Sequence, residues 1–139
     1  MTPELHALAR RAVACVRWRW RPGMLTTGRI RITCVEDDGA YILGIPAGWH
    51  QQIRMEQGEA PDLTDPATLG CLLALVREAV EPQRAPGDWP MVCPYQSQGK
   101  KWGVGAWLNE SGKATFAALV LPTYETEAAA LVAALEAAP

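Results

Sequence analysis

Two histidines, one phenylalanine and two serines are all that this chain of 139 residues carries of those types. Catalytic sites draw on clustered titratable groups and activated nucleophiles. His6 and His50 lie in separate segments, and neither Ser97 nor Ser111 sits in a Gly-x-Ser-x-Gly elbow. The four cysteines, Cys15, Cys34, Cys71 and Cys93, contain no CxxC pair and no metal-knuckle spacing, so reduced, mostly buried thiols are expected and a disulfide framework is not. Before Gly99-Lys100 the position that a phosphate loop gives to glycine is Pro94, and Lys101 stands where its hydroxyl residue would be. Gly103-Val104-Gly105 lacks the third glycine of a dinucleotide fingerprint. Asp37-Asp38 belongs to a turn, where aspartate is favoured for backbone reasons. These absences lead to the expectation of a protein that is not an enzyme and that uses neither cofactor nor metal.

Long apolar runs are missing too. The longest, Ala128 to Leu135, is far short of the ~20 residues that span a bilayer. The first residues, Met1-Thr2-Pro3-Glu4-Leu5-His6, carry an acid where a signal peptide has bases, and no apolar core follows. A protein without membrane contact, in the cytoplasm, is expected. The sequon Asn109-Glu110-Ser111 is a pattern common by chance. With 49% hydrophobic and 20% charged residues the composition is that of a folding chain. Its length suits a single domain over residues 1–139.

Acid is absent from one stretch in which base is abundant. Arg10, Arg11, Arg17, Arg19, Arg21, Arg29 and Arg31 put seven cations between residues 10 and 31 with no acid among them. Against a net charge of -2 for the whole chain, this leaves -9 for the remainder. Trp18 and Trp20 are interleaved with the arginines. Arginine forks grip phosphates or carboxylates and indoles stack on rings, so the segment is a candidate binding surface. The bland reading is a solvated face balanced by acids elsewhere in the fold, with the two tryptophans anchoring a helix end. A pI near 5.7 argues against general coating of DNA. Trp49 and His50, in Gly48-Trp49-His50-Gln51-Gln52, are weaker candidates for the same surface, and Trp89 and Tyr95 add further aromatic area.

Periodicity sets the fold class. Thr2 caps a first helix with Pro3 in its first turn, and Leu5, Leu8, Ala9, Ala12 and Val16 share a face beside a stripe of His6, Arg10 and Arg17. The sequence Trp18 to Gly23 (WRWRPG) ends it. Residues 29–35 alternate, with Ile30, Ile32 and Cys34 opposite Arg29, Arg31 and Thr33, and a turn at 36–39 leads into a return strand at 41–45. Residues 46–63 read as irregular. Asp65 and Pro66 start a helix whose core face is Leu69, Leu72, Leu73, Val76 and Val80, with Gly70 as a weak or close-packing point. Four prolines make 81–98 a long surface loop or a hinge. A second hairpin follows at 102–108 and 113–121, and Thr123 or Thr126 begins a last helix carrying Leu131, Val132 and Leu135. The expected class is α+β: an antiparallel sheet from two hairpins with helices on one face, in the order α-ββ-α-ββ-α.

Leu8–Leu25 (LARRAVACVRWRWRPGML), Pro61–Ala79 (PDLTDPATLGCLLALVREA) and Glu125–Pro139 (ETEAAALVAALEAAP) resemble stretches in small accessory proteins of tailed bacteriophages and prophages. The resemblance covers a third to a half of the chain and brings no catalytic residues with it. It implies a bacterial host cytoplasm and a protein that binds a host or phage protein, including the inhibition of a bacterial defence system. Two other readings stand beside it. In one, Arg10, Arg17, Arg19, Arg21, Arg29 and Arg31 hold a nucleotide or nucleic acid, at the interface of a homo-oligomer. In the other, the protein is a minor structural component of the virion.

Overall fold

The fold is seen in a computed structural model, which describes residues 2–35, 41–44, 50–53, 59–80, 91–110, 113–119 and 123–138. The described residues form an α+β architecture: α1 (Pro3–Ala14), β1 (Arg31–Val35), β2 (Tyr41–Gly44), β3 (His50–Ile53), α2 (Pro66–Val80), β4 (Met91–Gln96), β5 (Trp102–Glu110), β6 (Lys113–Ala118) and α3 (Glu127–Ala137). The strands make two antiparallel sheets, β1-β2-β3 and β4-β5-β6. Each expected hairpin is therefore a three-stranded meander, and the order is α-βββ-α-βββ-α. The added strands lie in segments read as irregular. β4 tolerates Pro94 because it is an edge strand, where one missing N–H costs no ladder bond. Contacts within the chain divide it into two compact units, Met1–Cys71 and Leu72–Pro139.

In the first unit Thr2 caps α1, its hydroxyl accepting from the Leu5 N–H at 3.4 Å. Cys15 is already extended (φ -68°, ψ 133°) and ends the helix at Ala14. Arg17 and Val16 thus leave the helical wheel: Ala9 and Ala12 are buried, whereas Val16 is 94% exposed. Residues 23–27 form an extra ladder. The Gly23 N–H donates to Ile32 O (2.8 Å) and the Ile32 N–H to Met24 O (2.9 Å), while the Thr27 N–H donates to Ala60 O (2.8 Å) and the Asp62 N–H to Leu25 O (2.7 Å). Around it Trp20, Met24, Thr26, Ile32, Ala60 and Leu63 are buried. A register shift between Ile32 and Cys34 breaks the expected alternation. Ile32 is buried and Cys34 is exposed, because a bulge turns successive side chains out of step. The other three thiols are half-buried and all four are free, so the expected burial of the cysteines is not observed.

Asp65 caps α2, its Oδ2 accepting from the Thr68 N–H (2.8 Å) and the Thr68 hydroxyl (2.9 Å). The helix buries Thr68, Leu72, Leu75, Val76 and Ala79. Leu69, Leu73 and Val80 are half-buried, so the buried stripe is rotated from the expected one.

In the second unit the strands pair without interruption, from Met91↔Trp107 to Gln96↔Trp102 and from Gly105↔Ala118 to Glu110↔Lys113. Trp102 continues the sheet by exchanging backbone hydrogen bonds with Tyr124 at 2.6 and 2.7 Å. Thr126 caps α3 by accepting from the Ala129 N–H at 3.2 Å. This helix packs on β5 and β4. Residues 130–135 are all buried, as suits a helix apolar on every side. Val92, Val104 and Ala106 are buried on one face of the sheet. On the other, Tyr95 and Phe116 lie over Gly103 and Gly105.

Candidate functional site: the arginine-tryptophan segment

Segment 10–31 crosses several local structures, and each places its arginines differently. Arg10 and Arg11 are exposed on the last turns of α1, Arg11 at the helix end where a cation complements the carbonyl dipoles. Beyond the helix the Trp18 N–H donates to Cys15 O at 2.9 Å, a turn that leaves Arg17 exposed. Arg19 is exposed and Arg21 half-buried. Arg29 was expected on the first strand. It sits instead in a tight turn at φ 65°, with its N–H on Thr26 O (2.9 Å), the Thr26 N–H on Ile30 O (2.9 Å), and its side chain exposed.

The two indoles meet edge to face, their ring centroids 5.4 Å apart with 83° between the planes. They are not equivalent. Trp20 is 7% exposed and belongs to the core, so its ring is closed to a ligand. Trp18 is half-buried, and its indole N–H is buried without an acceptor among the described residues. Arg31 is committed as well: it donates to Gly23 O (2.6 Å) and grips both carboxylate oxygens of Asp65 (3.0 and 3.3 Å). That pair ties β1 to the cap of α2. Asp65 was legible as a cap, but its role as the acid that answers Arg31 was not.

What remains for a partner is Arg10, Arg17 and Arg29, exposed and without an ion pair or side-chain hydrogen bond among the described residues. Trp18, half-buried, lies among them in sequence. His50 stands on β3, opposite Gly44 in register, in a different element from the segment. Trp49 and Trp89 fall outside the described residues. Tyr95 is in the second unit, where its ring meets Phe116 at 5.0 Å and Phe116 meets Trp107 at 5.2 Å. The sign of this ring cluster in the sequence is Gly103 and Gly105 inside a strand, which mark a close approach from above.

Among the described residues no three His, Cys, Asp or Glu stand together as a metal site, and no helix is long and apolar enough to cross a membrane. No family model, curated protein or solved structure matches this chain.

Proposed function

We propose that this protein works by binding, and that Arg10, Arg17 and Arg29 engage carboxylates on a partner protein. The observation that carries this reading is the exposure of three arginines without ion pairs among the described residues, in a segment of seven cations and no acid. Arginine's planar fork suits carboxylates, and exposed charge steers encounter with an oppositely charged surface. The burial of Trp20 favours a protein over single-stranded nucleic acid, since a stacking platform is reduced to Trp18. The resemblance to phage accessory proteins supplies the setting: a host or phage protein in a bacterial cytoplasm, defence components included.

The experiment is native mass spectrometry of complexes formed in host extract by the natural chain and by Arg10→Glu/Arg17→Glu/Arg29→Glu. A protein adduct is expected with the natural chain, weakened by salt and lost in the variant. An adduct that absorbs at 260 nm transfers the site to the nucleotide reading. Equal capture by both chains rejects the arginine surface.

A further inference from the structure

The two edges of the second sheet are built differently. Leu119 N–H donates to Val104 O, an inward bond at 2.8 Å that fixes the phase of the β5-β6 ladder. Antiparallel ladders alternate every second residue. In the unbroken register from Gly105↔Ala118 to Glu110↔Lys113, residues 117, 115 and 113 therefore turn their peptide groups toward β5. Ala114, Phe116 and Ala118 turn theirs away from it. The same phase carried across β5 makes Val92, Pro94 and Gln96 the outward residues of β4.

On β4 that outward row is blunted. Pro94 has no N–H, and the carbonyl of Val92 is taken by Arg77 Nε at 3.0 Å. These are devices by which sheets avoid pairing with other chains. β6 has none of them: it contains no proline and no bulge, and its single charged residue stands at its first position. Thr115 and Ala118 are exposed. An edge without these devices, to which no further strand is paired among the described residues, is a template for another strand.

We infer that β6 pairs with β6 of a second copy of this chain, antiparallel about a twofold axis at Phe116, to join two three-stranded sheets into one of six. The outward row is compatible with a second copy of itself. Outward residues must face outward residues, and centring on Phe116 is the register that uses all three: Ala114 opposite the partner's Ala118, Phe116 opposite the partner's Phe116, and Ala118 opposite the partner's Ala114. Each pair exchanges two backbone hydrogen bonds. No like charges are opposed within these pairs, and a twofold interface repeats each contact. The bulkiest residue does not obstruct the axis, because the Phe116 ring leans back over Gly105 of its own chain. The pairing involves none of the arginines of segment 10–31, so it stands or falls apart from their role.

The test is sedimentation of the full chain over a range of concentrations, with amide exchange read at β6. The natural chain should approach twice its 15.1 kDa, and the amides of Ala114, Phe116 and Ala118 should be protected in the dimer and lose protection on dilution. Ala118→Pro removes an outward N–H that no ladder bond among the described residues uses, and should give a folded monomer. Ala114→Lys/Ala118→Lys opposes like charges and should do the same. Ala114→Glu/Ala118→Lys sets each glutamate opposite a partner lysine and should restore the dimer. A natural chain that stays at 15.1 kDa at all concentrations, or a dimer that survives both the proline and the double-lysine variants, overturns the inference.

Discussion

Arg31 and Asp65 are joined by two parallel hydrogen bonds, Nη2 to Oδ1 at 3.0 Å and Nη1 to Oδ2 at 3.3 Å. One cation from the basic segment thereby becomes part of the frame. The Arg31 guanidinium holds the Asp65 carboxyl below the usual aspartate range, opposed by burial and assisted by the N–H and hydroxyl of Thr68. A depressed value in the folded state means that the unfolded chain takes up its proton first as acid is added. The stabilisation is therefore complete well above the roughly 3.9 of a free aspartate and disappears as pH falls through and below it. Asp65→Ala, which also removes the cap, should cost about 1 kcal/mol near neutrality. Urea denaturation at neutral pH and in acid checks this: the gap between natural chain and variant should narrow in acid.

Gly70 lies exposed in the interior of α2, and a methyl group there meets nothing within 4 Å among the described residues. It is not a close-packing point. Gly70→Ala should stabilise the chain by about 0.5–1 kcal/mol through a less mobile unfolded state, read as a rise in Tm.

Gly105 behaves in the opposite way, because a methyl group there would collide with the ring of Phe116. Gly105→Ala should destabilise by about 1–3 kcal/mol as the ring is forced off its seat. In the Phe116→Ala background the same substitution should cost less, and the coupling in a double-mutant cycle measures the contact. Equal costs in both backgrounds would refute the stacking of Phe116 on Gly105.

The thiols should separate by rate. Cys34 is exposed beside the bulge, while Cys71 is partly buried under the Pro22 carbonyl at 3.6 Å and burial pushes its thiol up. Ellman's reagent should label Cys34 ahead of Cys71, and Cys34→Ser should remove the fast phase.

Helices were legible because their signals are local. Thr2-Pro3, Asp65-Pro66 and Thr126 each announce a cap within four residues. The strands β3 and β4 were not, since His50–Ile53 is polar and Met91–Gln96 contains a proline; only the neighbouring strand makes either segment extended. Trp18 and Trp20 illustrate the same limit at the candidate site. Two residues apart in one basic run, they carry the same local signal, yet the ladder around Met24 and Ile32 buries only the second. The bulge that exposes Cys34 likewise depends on how β1 meets β2.

The meander of the second unit precedes α3 in the chain, and this has a kinetic consequence. Each strand of β4-β5-β6 pairs with its neighbour in sequence, so the sheet closes only short loops and can form early. The apolar residues Val92, Val104 and Ala106 are then made before α3, the helix that packs against β4 and β5. During synthesis this face lacks the cover of α3 until residues 127–137 emerge. The interval is one in which a chaperone would be expected to hold the chain, and in which slow translation past β6 would favour aggregation.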